Sequence, residues 1–262
     1  MLLTDKTVIV SGVGAGLGRE IALACAREGA SVVLGARSED NLQKVHDDIA
    51  TEVGAEKVAW QRTDITSQDQ TDGIVALAAS RFGGLHGIVN CAAKDDVMGG
   101  ILQTTDEQWR QTMEINLFGT MNLVRSAVPA LELTRGSIVF IGSQTMLKPP
   151  PQMPQLAYAA SKGALMAASY HLTQELGPKG IRVNTVVPSW MWGPPVEAYC
   201  NWIARDKGIT VDEARLSLAK DFAMRDIAAD DDVAQACTFF LSDKSSMVSG
   251  QSMLVNGGEY MR

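Results

Sequence analysis

The stretch Thr7-Val-Ile-Val-Ser11-Gly-Val-Gly-Ala-Gly-Leu-Gly18 decides the fold. It opens as a short β-rich run, passes through a glycine-dense turn, and leads into Leu17 to Arg27, which reads as a helix stopped at Gly29. Strand, glycine turn and helix in that order set backbone amides at a helix N-terminus, where a phosphate anion is favoured. The spacing is G-x-x-x-G-x-G through Gly12, Gly16 and Gly18, and the strict G-x-G-x-x-G is not present. Glycine suits the turn because the chain bends sharply and must approach an anion without a Cβ in the way. No Gly-Lys-Ser/Thr follows, so the turn is not a P-loop.

The same rhythm continues outward. Ser31–Leu34, Val58–Arg62, Gly87–Asn90, Ser137–Ile141, Arg182–Val187 and Met253–Val255 read as further strands. Helical patterns fall between them, at about 39–52, 68–82, 106–133 and through Tyr158 to Leu176, where Gly177-Pro178 ends the last. Short apolar runs alternating with helices predict a doubly wound α/β fold, a mostly parallel sheet flanked by helices on both faces. No linker, repeat or low-complexity segment breaks the rhythm, so one domain is expected over 1–262. The interval from about 189 to 226 departs from it and reads as a helical excursion.

The 262 residues, 46% hydrophobic and 20% charged, are those of an ordinary globular chain with room for a substantial core. A net charge of −7 without a basic cluster argues against a nucleic-acid partner. No segment approaches the roughly 18–20 apolar residues needed to span a membrane, and the N-terminus lacks the pattern of a signal peptide. Cys25, Cys91, Cys200 and Cys237 are scattered, as are the three histidines, so no protein-held metal is expected. Reduced, mostly buried cysteines and a cytoplasmic location follow.

Tyr158-Ala-Ala-Ser-Lys162 puts a phenol and an ammonium four residues apart, on one face of a helix. A cation near a phenol lowers a pKa that starts at about 10, and reaching neutrality takes roughly 2–3 units, or about 3–4 kcal/mol. Tyr158 would then serve as a general acid and base. An ordinary surface helix is the alternative that the five residues alone leave open. At the end of the second strand, Gly35-Ala36-Arg37 offers no acid to a ribose but a guanidinium to a 2′-phosphate. This points to NADP(H) over NAD(H), with Glu39 and Asp40 as the competing possibility.

With the glycine loop, Asn90, Asn116, Ser143 and the Tyr-Lys pair in that order, the chain resembles the short-chain dehydrogenase/reductase family, in its compact single-domain branch. The resemblance spans essentially the whole length. It implies a seven-stranded sheet and a homotetramer. It also implies that Gly12, Gly16, Leu17 and Gly18 line a cofactor diphosphate. Asp64 and the neighbouring Ile65 would meet the adenine, Asn90 would sit beside the adenosine ribose, and Pro188 would lie against the cofactor at the end of the sixth strand. Asn116, Ser143, Tyr158 and Lys162 map onto the catalytic four. Tyr158 would exchange a proton with the substrate oxygen, and Ser143 would hydrogen-bond that oxygen. Lys162 would bind the nicotinamide ribose and lower the tyrosine pKa, and Asn116 would hold a water in the proton path.

Three stretches depart from the family pattern. Asn90-Cys-Ala-Ala93 replaces Asn-Asn-Ala-Gly, and Pro188-Ser189 replaces Pro-Gly. Gly193 stands where a threonine would contact the nicotinamide amide, so that contact is lost or supplied by backbone. Pro149, Pro150, Pro151 and Pro154 stiffen the loop before Tyr158. In the family the excursion at about 189–226 forms a lid over the substrate. Trp190, Met191, Trp192, Tyr199 and Trp202 there suit a hydrophobic alcohol or ketone, or alternatively pack the lid itself. The expected activity is interconversion of a secondary alcohol and a ketone by hydride transfer with a nicotinamide cofactor. A non-catalytic dinucleotide-binding regulator and a 3-ketoacyl-thioester reductase are the alternatives.

Overall fold

The computed structural model describes residues 1–150 and 153–261. Pro151, one of the four prolines before Tyr158, lies outside the described residues. In chain order the elements are β1 (Thr7–Ser11), α1 (Leu17–Arg27), β2 (Ser31–Ala36), α2 (Glu39–Val53), β3 (Val58–Arg62), α3 (Gln68–Phe82) and β4 (Gly87–Asn90). There follow α4 (Asp106–Met113), α5 (Thr120–Thr134), β5 (Ser137–Ile141), α6 (Leu156–Leu176) and β6 (Arg182–Pro188). The last are β7 (Met191–Trp192), α7 (Pro194–Lys207), α8 (Val211–Leu218), β8 (Ala228–Ala229), α9 (Asp230–Leu241) and β9 (Ser252–Val255).

Seven strands form one sheet in the order β3-β2-β1-β4-β5-β6-β9, and every pair in it is parallel. The apolar runs are continuous because both faces of the sheet are covered. Alternate residues of one strand feed opposite cores: Val8 and Val10 of β1 join one cluster with α1 and α9, while Ile9 joins the other with α3, α5 and α6. Each such fully buried Val or Ile contributes about 1.5–3 kcal/mol by leaving water. The chain winds outward from β1 in both directions, so a crevice opens where the carboxyl ends of β1 and β4 diverge.

The doubly wound expectation holds, with three differences of detail. β2 runs two residues further than expected, to Ala36, because Leu34, Gly35 and Ala36 continue the ladder to Trp60, Gln61 and Arg62 of β3. The long helix expected over 106–133 is interrupted by a π-helical turn, Glu114–Gly119, carrying Asn116. α9 had no counterpart in the expected elements, although Val233, Ala234, Cys237, Phe240 and Leu241 are buried at helical spacing. The excursion after β6 is helical as expected, and β7 and β8 pair in parallel at its base.

Candidate functional site

The glycine turn is fixed on both sides. The Gly12 and Val13 amides donate to the Gly35 carbonyl of β2, at 2.8 and 3.2 Å, and the Cys91 and Ala92 amides donate to the Ser11 carbonyl. Gly12 has φ +87, and a Cβ there would lie 2.2 Å from the Ala92 nitrogen; one on Gly18 would lie 2.3 Å from the Gly12 carbonyl oxygen. These two glycines are thus required by the close packing of the turn on itself and on the exit from β4. Gly14 has nothing within 4 Å, and Gly16 caps α1. Among the described residues, none accepts a backbone hydrogen bond from the amides of Gly14, Ala15, Gly16, Leu17 or Gly18. Free amides converging at a helix N-terminus are a site for an anion such as a diphosphate.

Beside the turn, a cleft of about 300 Å³ is lined by Val13, Arg37, Ile65 and Ala93, among others. A larger one, about 470 Å³, adjoins it between Arg37, Asp64, Lys94 and Arg110. Arg37 is exposed at the tip of β2 and makes no ion pair among the described residues. Burial works to raise the Asp64 pKa, yet it is lowered overall, because Thr66 donates to Asp64 Oδ1 through its amide and hydroxyl and Arg37 and Arg62 add positive charge. The Asn90 amide donates to Thr120 Oγ1 at 2.8 Å, while its buried Oδ1 has no partner. An orphaned buried acceptor costs about 1–3 kcal/mol, and an adenosine ribose hydroxyl is a donor of the right kind to relieve it. The residues present therefore fit a dinucleotide.

The four other candidates converge at the carboxyl ends of β4 and β5. Lys162, 2% exposed, donates from Nζ to the Ile141 carbonyl at 2.7 Å and lies 5.6 Å from the centre of the Tyr158 ring. Burial pulls its pKa down to about 8, against smaller upward influences of Cys91 and Asp95. For Tyr158 the outcome differs from the expected lowered pKa. Burial and then the Asp95 charge raise it, and the nearby Ser143 hydroxyl opposes them without prevailing. The reason is geometric: the ammonium is held by the Ile141 carbonyl, not by the phenol. In this form the phenol is a protonated acid.

Asn116 sits on the π-helical turn, 1% exposed. Its Oδ1 accepts from the Lys94 amide at 2.7 Å, and its Nδ2 donates to the Lys94 carbonyl and to Ser161 Oγ. Ser161 in turn donates to the Tyr158 carbonyl. Both amide hydrogens are thus spent on tying the loop after β4 to α6. Lys94 and Ser161 had no signal of their own in the sequence. Ser143 Oγ is 2.9 Å from Thr145 Oγ1. The loop before Tyr158 is stapled to the segment after β4 by the Gly99 amide donating to the Pro154 carbonyl and by Gln155 Nε2 donating to the Asp95 carbonyl.

The far wall combines three segments. Pro188 is buried at the end of β6. Next to it, Ser189 donates to the Glu259 carboxylate, which also pairs with Lys148 at 3.2 Å. Asn256 donates to Gln144 Oε1 at 2.6 Å. The C-terminal segment 256–260 thereby joins the site, which the sequence pattern did not indicate. Trp190, Tyr199 and Trp202 stack with centroids 5.7 and 5.9 Å apart, and Trp190 and Trp192 pack on Phe222 and Ile227. Of the two roles left open for these rings, packing of the excursion accounts for most of them. Gly193 is buried, with no side chain to offer. All four cysteines are free, three of them buried and Cys91 partly so. Among the described residues no helix is long and apolar enough to cross a membrane.

A parallel doubly wound sheet with a free-amide glycine turn and a Tyr-Lys pair, its lysine buried, at the carboxyl edge defines a Rossmann-type oxidoreductase scaffold. Residues 12–259 match the family model described as enoyl-(acyl carrier protein) reductase, and the chain belongs to the short-chain dehydrogenase/reductase family. It is 28% identical over 261 residues to a trans-4-hydroxycyclohexanecarboxylate dehydrogenase of Sinomonas cyclohexanicum, covering 98% of this chain and 93% of that one. A 3-oxoacyl-(acyl-carrier-protein) reductase of Staphylococcus aureus is 27% identical over 260 residues, covering 98% of each. Among solved structures, the L-sorbose reductase of Gluconobacter frateurii, complexed with NADPH and L-sorbose, superposes with a TM-score of 0.91 at 26% identity. That match covers 99% of this chain and 98% of the reductase.

Proposed function

We propose that this oxidoreductase interconverts a secondary alcohol and a ketone, uses NADP(H) in preference to NAD(H), and employs Tyr158 as the proton donor and acceptor. The observation that carries the reading is the convergence of Ser143, Tyr158, Lys162 and Asn116 beside the free amides of residues 14–18. Those amides would hold the diphosphate with Leu17, and Asp64, Ile65 and Asn90 would hold the adenosine. Arg37 would face the 2′-phosphate, and Lys162 and Pro188 would border the nicotinamide ribose. A bound nicotinamide supplies or accepts the hydride.

In reduction, Tyr158 delivers its proton to the carbonyl oxygen, and Ser143 donates a hydrogen bond to the same oxygen. The ammonium of Lys162, within 6 Å, offsets the phenolate charge left behind. Asn116 fixes the backbone of Tyr158 through Ser161, so that the phenol is held in place. The partly exposed Trp190 and Met191 at the root of the excursion support a substrate with a ring or aliphatic body, as does the ring alcohol in the name of the Sinomonas relative. Phe118 and Tyr170, large side chains left exposed, support assembly into a homotetramer. The free cysteines support a reducing, cytoplasmic setting.

Tyr158→Phe is the decisive variant. Removing a general acid costs about 10²–10⁴-fold in turnover, while NADPH affinity by fluorescence titration is expected to change less than about twofold. Turnover within tenfold of wild type would overturn the mechanism. The same titration with NADH tests Arg37, and tighter binding of NADH would reverse the cofactor preference.

A further inference from the structure

Asp230 opens α9 and is 7% exposed, yet its carboxylate takes part in no hydrogen bond and no ion pair among the described residues. Its oxygens point into the gap between the glycine turn and the root of the excursion. A Cβ on Gly16 would lie 3.3 Å from Oδ2, and a Cβ on Gly193 only 2.3 Å from the same atom. The space a side chain at 193 would fill is therefore filled by this carboxyl. It stands at the N-terminus of α1, whose amides are free.

We propose that Asp230 is a proton-linked gate on the glycine turn: its carboxyl stands at the mouth of the anion site, and a dinucleotide diphosphate is accepted as that carboxyl takes up a proton. The inference rests on the reading that the glycine turn holds a diphosphate. A carboxylate and a diphosphate brought together at this mouth repel as bare anions, since like charges at short range raise each other's protonation. Protonated, Asp230 would instead donate to a phosphate oxygen.

The surroundings shift this carboxyl toward protonation. Burial, then Glu20 of α1 and Glu197 of α7, push the Asp230 pKa up to about 6. Arg19 of α1 is engaged by Glu20 and Asp48, and Arg182 of β6 is held at the other end of α9 by the Phe240 and Ser242 carbonyls. On α9 itself, Asp232 caps the helix through the Ala229 amide, and Asp231 accepts from Gln235. Further into the crevice stand the Cys91 thiol, pushed up to about 11, and Lys162, pulled down to about 8, while Arg37, Asp64, Lys94 and Arg110 line its outer cleft.

The test is calorimetric titration of the full chain with ADP-ribose between pH 5.5 and 7.5, in paired buffers of different ionisation enthalpy. ADP-ribose keeps the diphosphate and lacks the 2′-phosphate, which itself titrates near pH 6. Wild type is expected to take up a proton on binding and to weaken with rising pH, by up to about fifteenfold between pH 6 and 7.5. Asp230→Asn, its folding checked by circular dichroism, is expected to lose both effects and to bind up to about tenfold tighter at pH 7. Wild-type affinity without pH dependence or proton uptake would overturn the proposal, as would an unchanged pH slope in Asp230→Asn. If that variant does not fold, the wild-type proton count decides. Failure of ADP-ribose to bind at any pH would instead bring down the diphosphate reading, and the gate with it.

Discussion

Lys162→Met is expected to make the protein more stable at neutral pH while destroying its activity. The folded state pulls this lysine from 10.5 to about 8, a difference of about 2.5 units, worth about 3 kcal/mol at 1.36 kcal/mol per unit. That penalty falls on the charged form, because the folded protein binds the proton less tightly than the unfolded chain does. It is therefore fully present below pH 8, declines between 8 and 10.5, and is absent above. Methionine keeps the stem packed but abandons the 2.7 Å hydrogen bond to the Ile141 carbonyl, a loss of about 1–3 kcal/mol for a buried acceptor. The balance at pH 7 is a gain of about 1 kcal/mol, which corresponds to about 2–4 °C in the melting midpoint for a chain of this size. At pH 10.5 only the lost hydrogen bond remains, and the variant should melt below wild type. Thermal unfolding followed by circular dichroism at pH 7 and pH 10 reads the difference. The reasoning is refuted if the gap between variant and wild type is the same at both pH values, for then the ammonium carries no burial penalty.

Gly12→Ala should be severe, since φ is +87 and the new Cβ would lie 2.2 Å from the Ala92 nitrogen. Left-handed strain and overpacking together cost about 3 kcal/mol, or about 6–12 °C in the melting midpoint; a melt within 2 °C of wild type would show that the turn relaxes freely. Ser189→Ala removes the hydroxyl that donates to Glu259, a bond to a charged group worth about 1 kcal/mol in this partly exposed setting. It should raise amide hydrogen exchange over residues 256–260 with little change in global melting, and unchanged exchange there would mean that Lys148 and Asn256 hold the segment alone.

The parallel strands were legible because burial on both faces leaves apolar runs such as Val8-Ile9-Val10 and Ile138-Val-Phe140 between punctuating glycines and polar residues. The glycine turn was legible for the same local reason. What escaped depends on contacts distant in the chain. The π-helical turn has ordinary helix-compatible residues, and Asn116 on it is tied to Lys94, 22 positions away. Glu259 enters the site only through Ser189 and Lys148, 70 and 111 positions away. Asp230 is one of three acids opening α9, a placement that the helix dipole alone explains. Its burial and the approach of Gly193 and Gly16 distinguish it from the exposed Asp231 and Asp232.

The same limit applied to the Tyr158–Lys162 pair. Spacing placed both residues on one helix, but spacing cannot say whether the ammonium turns to the phenol or to a carbonyl of β5. With Lys162 on the Ile141 carbonyl, burial disfavours both charged forms: the phenol keeps its proton more tightly and the amine more loosely than in water. At neutral pH the phenol is thus uncharged, while Lys162, with a pKa of about 8, still carries its charge in a largely buried pocket. That pocket magnifies any charge brought into it, since the same separation yields a stronger field at low dielectric. An anionic diphosphate at the glycine turn would hold Lys162 still more firmly in the protonated form it already favours at pH 7, and a protonated Lys162 is what steadies a phenolate. The charged Lys162 would therefore steady the phenolate left by proton transfer, so the raised phenol of the empty site and its proposed role as acid are compatible.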